Sequence, residues 1–149
     1  MRAVVQRVSS ARVVVDGEVV GACGRGFVVL VGVGVDDGQE DVSYMVDKIA
    51  HLRIFTDRQG KMNLSLQDVG GQILAVPNFT LYGDARHGRR PDFTKAAPGS
   101  TGRALFDAVV TGLRAQGIQV ATGVFGAHMS LELVNDGPVT VLLDSRHNF

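Results

Sequence analysis

The chain has 149 residues and a formal net charge of zero, with 45% hydrophobic and 20% charged residues, the proportions of one ordinary soluble globular domain. A neutral chain has no overall field to draw in nucleic acid or membrane, so any contact with a polyanion must come from a local patch. The single cysteine, Cys23, excludes an intrachain disulfide and a cysteine-rich zinc site, as suits a reducing cytoplasm.

From the start, "RAVVQRV", "ARVVVDG", "EVVGA" and "GFVVLVGV" are short β-branched runs separated by Ser9-Ser10, Asp16-Gly17 and glycine-rich punctuation, which predicts four strands. Asp16-Gly17 predicts a hairpin turn of the primed type. Arg2, Arg7 and Arg12 break the apolar character of the N-terminal segment, so no signal peptide or transmembrane span is expected. A cytoplasmic location follows. Val42, Met45, Val46, Ile49 and Leu52 then fall on one helical face, with Asp36 or Asp37 as the expected cap. A strand over 52–55, the turn "TDRQGKMN" and the strand "GGQILAVPNFTLYG" follow. A second helix is expected from Ser100 or Thr101, burying Ala104, Leu105, Ala108, Val109 and Leu113 and ending before Gly117. The tail predicts strands over 118–122, 128–134 and 139–143. Runs of strands broken by only two helices predict an α+β fold: one domain over 1–149, with a largely antiparallel or mixed, barrel-like sheet.

Standard catalytic devices are missing. "GVGVDDG" has the wrong glycine spacing for a phosphate loop, and its two aspartates would repel phosphate. His51, His87, His128 and His147 are scattered, so no metal is expected, nor any other cofactor. Cys23 has no neighbour in sequence that would lower its pKa, which favours a structural thiol over a nucleophile.

Two features remain. In "PNFTLYGDARHGRRPDFTKAA", Pro77 places Asn78, Phe79 and Thr80 at a strand edge or bulge, where amides and side chains can face a cleft. An ordinary strand end is the simpler reading of that pattern. The adjoining Arg86, Arg89, Arg90 and Lys95 can bind a nucleic-acid backbone through phosphate, or form a solvated loop partly neutralised by Asp84 and Asp92. In "VNDGPVTVL", Gly137-Pro138 can bring backbone close to a ligand, or can simply connect two strands of a hairpin.

Taken together, "NFTL", the basic loop and "NDGPVT" resemble the D-aminoacyl-tRNA deacylase family, with support from "VVQRVSSARV", "LRIFTDRQGKMNLSLQDVGG" and "GVFGAHMSLELVNDGPVT". The resemblance spans essentially the whole chain. It implies a homodimer whose active site lies at the subunit interface and hydrolyses the ester joining a D-amino acid, or glycine, to the tRNA 3′ end. It also implies that Gly137 and Pro138 form a cis bond that reaches into the other subunit and excludes L side chains. By the same resemblance, amides around Phe79 and Thr80 stabilise the oxyanion, Arg7 braces the Gly-Pro loop, and Phe125 and Met129 line the adenosine pocket. The tRNA 2′-OH assists the attacking water. The family motif usually has Ser-Gln where this chain has Pro77-Asn78, so Asn78 is one methylene short and Pro77 lacks an amide donor. Two other readings stay open: an esterase with Thr80 as nucleophile, and a non-catalytic RNA-binding module that presents the basic loop.

Overall fold

The β-branched runs at the start join into one long hairpin in the computed structural model, which describes residues 1–149. β1 (Arg2–Val15) is a single strand rather than the expected two. The exposed Ser9-Ser10 pair does not break it but marks where its partner changes. Its second half pairs antiparallel with β2 (Glu18–Cys23), its first half with β3 (Gly26–Gly32). Asp16 (φ 49°) and Gly17 (φ 79°) make the turn, as the primed-turn reading requires.

The other edge of β1 is covered along its length by β8 (Ser130–Asp144), from Arg2 opposite Asp144 to Val14 opposite Ser130. The expected hairpin at 134–139 therefore does not form, because both halves pair with β1 instead of with each other. Between the pairs Gln6–Thr140 and Val8–Asn135, only Arg7 stands opposite residues 136–139. This segment is a large bulge on an edge strand, a position that tolerates the missing N–H of Pro138.

Beyond β3 the sheet becomes parallel. β6 (Gln72–Pro77) pairs with β3, and β7 (Val120–Thr122) pairs with β6. Parallel neighbours need crossovers. They contain α1 (Gln39–His51) with the small hairpin of β4 (Phe55–Thr56) and β5 (Met62–Leu64), and α2 (Gly99–Ala115). The sheet nearly closes into a barrel where β2 meets β7. A Cβ on Gly21 would lie 2.4 Å from the Thr122 carbonyl oxygen, so only glycine permits that approach.

Alternation along β3 and β6 divides the core. Phe27, Val29, Val31 and Ile73 pack with Met45, Ile49, Phe106, Val109 and Leu113 of the helices. Val28, Leu74 and Val76 turn into the barrel with Val8, Val13 and Cys23. Strands buried on both faces are continuous apolar runs, as these are. Each fully buried side chain of this size contributes about 1.5–3 kcal/mol.

Element ends and one helix face depart from expectation. Gly38 precedes α1, its amide donating to Asp41 at 2.9 Å, while Asp37 accepts from Gly34 at 2.6 Å instead of capping. Leu52 ends α1 rather than beginning a strand. α2 begins behind Pro98, and Phe106 and Val110 join the inward face; Ala108 packs there as expected, while Ala104 is exposed. Gly117 (φ 85°) ends it as expected. No helix is long and apolar enough to cross a membrane.

Candidate functional site

Parallel β6 delivers Pro77 to the end of the sheet, and the Asn78 amide makes one last bond, to the Val31 carbonyl at 2.8 Å. The backbone then tightens into a 3-10 turn, Phe79–Tyr82, so "NFTL" is a turn and not the strand end that was expected. Asn78 causes this. Its side-chain Oδ1 accepts from the Thr80 amide at 3.2 Å and also from the Thr80 hydroxyl, the local bond by which asparagine competes with strand geometry. Further along, Leu81 donates to the Asn78 carbonyl at 3.4 Å and Gly83 to the Thr80 carbonyl at 2.9 Å. Phe79 holds the first position of the turn, where the helix offers its amide no acceptor.

Phe79 and Thr80 are exposed. The Phe79 ring stands edge-on to Phe93, centroids 5.2 Å apart. Asn78, Phe79, Phe106 and Phe125 share a cavity of about 80 Å³, well below the ~300–1,000 Å³ of ordinary small-molecule sites. Phe125 is held against Gly102 of α2, with the Arg103 guanidinium 5.0 Å from its ring centroid. Met129 does not line this cavity. It packs on the barrel-side core, its sulfur pressed against Gly123.

The 136–139 bulge is fastened at its neck. Arg7 is buried, and donates from Nε to the Asp136 carbonyl at 3.1 Å and from Nη1 to the Ile54 carbonyl at 2.7 Å. Its guanidinium also lies 3.3 Å from the Asp136 carboxylate. Asn135 crosses the neck, its Nδ2 donating to the Arg7 carbonyl at 2.9 Å and to the Val139 carbonyl at 3.1 Å. Sequence reasoning missed Asn135; an asparagine beside a register break, able to satisfy two unpaired carbonyls, was the available signal. At the exposed tip, the Gly137-Pro138 peptide is cis. Neither residue lines the cavity at Phe79.

Asp84 and Asp92 close the basic loop with a two-way backbone bridge at 2.8 and 2.9 Å. Arg86 grips the Asp84 carboxylate through two nitrogens, at 2.9 and 2.5 Å, and holds its pKa well below the usual carboxylate range. Arg89 and Arg90 are exposed and take no part in the chain's ion pairs, while Lys95 lines a separate cleft. All four histidines are exposed, and burial pushes the Cys23 thiol pKa up, as befits a structural residue. No group of three or more His, Cys, Asp or Glu side chains gathers to hold a metal.

The class these features define is a nearly closed mixed-sheet barrel with a capped 3-10 turn at one sheet end and a braced backbone bulge on its edge strand. Residues 4–144 match the family described as D-Tyr-tRNA(Tyr) deacylase. Relatives called D-aminoacyl-tRNA deacylase are 57% identical in Thermotoga petrophila and 60% in Anaeromyxobacter dehalogenans, each over the whole of both chains. A solved structure titled c-Myc DNA Unwinding Element Binding Protein superposes with a TM-score of 0.91 at 40% identity, covering 97% of this chain and 98% of its own. A probable eukaryotic D-amino acid tRNA deacylase shares the fold, with a TM-score of 0.82 at 23% identity over 95% and 97% of the two chains. The chain belongs to the D-Tyr-tRNA(Tyr) deacylase family.

Proposed function

We propose that this protein hydrolyses the ester of D-aminoacyl-tRNA, and of glycyl-tRNA charged on a non-cognate tRNA, while sparing L-aminoacyl-tRNA. The observation that carries the reading is the pairing of two backbone devices, the exposed amide end of the Phe79–Tyr82 turn and the exposed Gly137-Pro138 bulge, in a chain of this family. Neither device needs a reactive side chain. A developing oxyanion is stabilised by the preorganised Phe79 amide, the Thr80 amide being engaged by Asn78, and an L side chain is refused by backbone that occupies its place. Glycine has no side chain to refuse, so the filter passes it.

Water attack then draws its base from the substrate, through the 2′-OH of the terminal ribose. The Thr80 hydroxyl fits this division of labour, because it donates to an amide oxygen that has no capacity to act as a base. Phe125 lines the seat of the terminal adenosine, whereas Met129 packs on the barrel-side core. A second subunit completes the site: the cavity at Phe79 is small, and the bulge lies on a strand whose far edge is unpaired in the single chain. The bulge of each protomer enters the other's site, held by Arg7. Acting on charged tRNA, the enzyme works in the cytoplasm.

Incubating the pure protein with D-Tyr-tRNA, L-Tyr-tRNA and Gly-tRNA should release D-tyrosine and glycine and leave the L ester intact. No ester loss, or equal loss of both enantiomers, removes the proposal. A module that only binds RNA would retain acylated and deacylated tRNA alike and release nothing.

Arg86, Arg89, Arg90 and Lys95 contact the tRNA backbone, with unequal weight. Arg86 is already neutralised by Asp84, whereas Arg89 and Arg90 are free to displace counterions. Replacing both with serine should weaken binding of all tRNAs alike and reduce the slope of log affinity against log salt by about 1–2. Arg86→Ser should change it by less than half as much. Equal slopes for all three proteins would remove the loop from the interface.

A further inference from the structure

We propose that Arg2 is a positioning residue that fastens the Phe79–Tyr82 turn to the end of β8, so that the amide end of the turn is held against the sheet by one guanidinium. Its Nη1 donates to the Leu81 carbonyl at 3.0 Å and its Nε to the Asp144 carboxylate at 3.3 Å. Leu81 lies in the last part of the turn, where carbonyls lack intrahelical donors. Asp144 is the last residue of β8 and almost fully buried, and it also accepts from the Arg146 amide at 2.7 Å. The guanidinium also lies near two rings, with centroids 4.6 Å away at Tyr82 and 5.3 Å at Phe149. A planar fork with two hydrogen-bond acceptors and two neighbouring rings has little freedom left.

Arg2 borders an open cleft of about 700 Å³ that also contains Arg86, Lys95 and Arg146. Arg86 is spent on Asp84 and Arg146 on Asp41, at 2.5 and 3.1 Å, and Asp36, Asp37 and Asp84 share the lining with Lys95, so the cleft is not a concentrated anion site. Arg2 differs from them: besides its carboxylate it holds a main-chain carbonyl of the candidate site. Its connection to that site depends on the proposed function; its hold on the turn does not.

The test compares Arg2→Met, which keeps length but has no donor, with Arg2→Lys, which keeps one donor and the charge. The readouts are amide exchange at Gly83, whose N–H closes the turn on the Thr80 carbonyl, and single-turnover kinetics on D-aminoacyl-tRNA. Arg2→Met should speed Gly83 exchange at least about tenfold and slow the chemical step by about tenfold to a hundredfold. KM should stay within about twofold, and Arg2→Lys should recover part of both losses. Unchanged Gly83 exchange overturns the proposal, as does faster exchange with an unchanged rate, or a loss carried by KM alone. If Arg2→Met does not fold, Arg2→Gln, too short to reach Leu81, is judged by the same criteria. If the wild-type protein hydrolyses no D ester, the proposed function falls, and Gly83 exchange alone decides whether Arg2 fastens the turn.

Discussion

Replacing Phe79 with proline should lower turnover of D-aminoacyl-tRNA by about 10²–10³ relative to Phe79→Ala, the usual cost of one lost oxyanion donor. Proline suits the first position of a helical turn, since its φ is preset and the amide it lacks has no helical partner. Asn78 before it is extended (φ −147°, ψ 92°), as a residue preceding proline must be. The alanine variant accounts for the lost contact between Phe79 and Phe93, so the ratio isolates the N–H. Thr80→Ala completes the series. It removes the hydroxyl bonded to Asn78 but leaves the Thr80 amide in place, so activity should fall only partly. Abolished turnover in Thr80→Ala would point to a nucleophilic threonine. Equal rates for the proline and alanine variants would show that the Phe79 amide plays no part in catalysis.

Gly137→Ala should damage both stability and selectivity. Gly137 has φ 145°, and an added Cβ would lie 2.5 Å from the Val139 nitrogen and 2.7 Å from its Cγ2. Backbone in that region strains any L residue by about 1–3 kcal/mol, a fall of about 2–10 °C in Tm for a chain of this size. The strain can be relieved only by moving the tip, because Asn135 and Arg7 hold the neck. The ratio of D to L hydrolysis should therefore fall at least about tenfold, equivalent to about 1.4 kcal/mol of discrimination. A folded Gly137→Ala protein with the wild-type ratio would release Gly137 from the role of filter.

How far the fold and site were legible depends on whether a signal was local. Periodicity found both helices, and Asp16-Gly17 found its turn, because each is decided within a few residues. Ser9-Ser10 suggested two strands, but continuity is decided across the sheet, where β3 gives way to β2 opposite one unbroken β1. Asn135-Asp136-Gly137-Pro138 has the composition of a hairpin turn. It is a bulge because β1 pairs with residues on both sides of it, a contact more than a hundred residues distant that local chemistry does not report. At Asn78 the local chemistry was present but was outweighed by the apolar run before it; an asparagine able to bond two residues ahead predicts a cap. Arg7 was placed through family resemblance, and its buried contacts to Asp136 and Ile54 give the physical reason for that placement.

The pairing of β1 with β8 bears on how the molecule is made. Arg2 and Asp144 bond across 142 positions of sequence, so one edge of β1 stays open until nearly the whole chain has left the ribosome. At about 5–20 residues per second that wait lasts roughly 7–30 s. During it, a Val-rich strand with unsatisfied backbone groups is open to wrong partners. The arginines at 2, 7 and 12 punctuate that strand, with the serines at 9 and 10 between the last two. In the folded protein Arg7 fastens the bulge; in the nascent chain the same charge, with its neighbours, is of the kind that blunts an exposed strand edge.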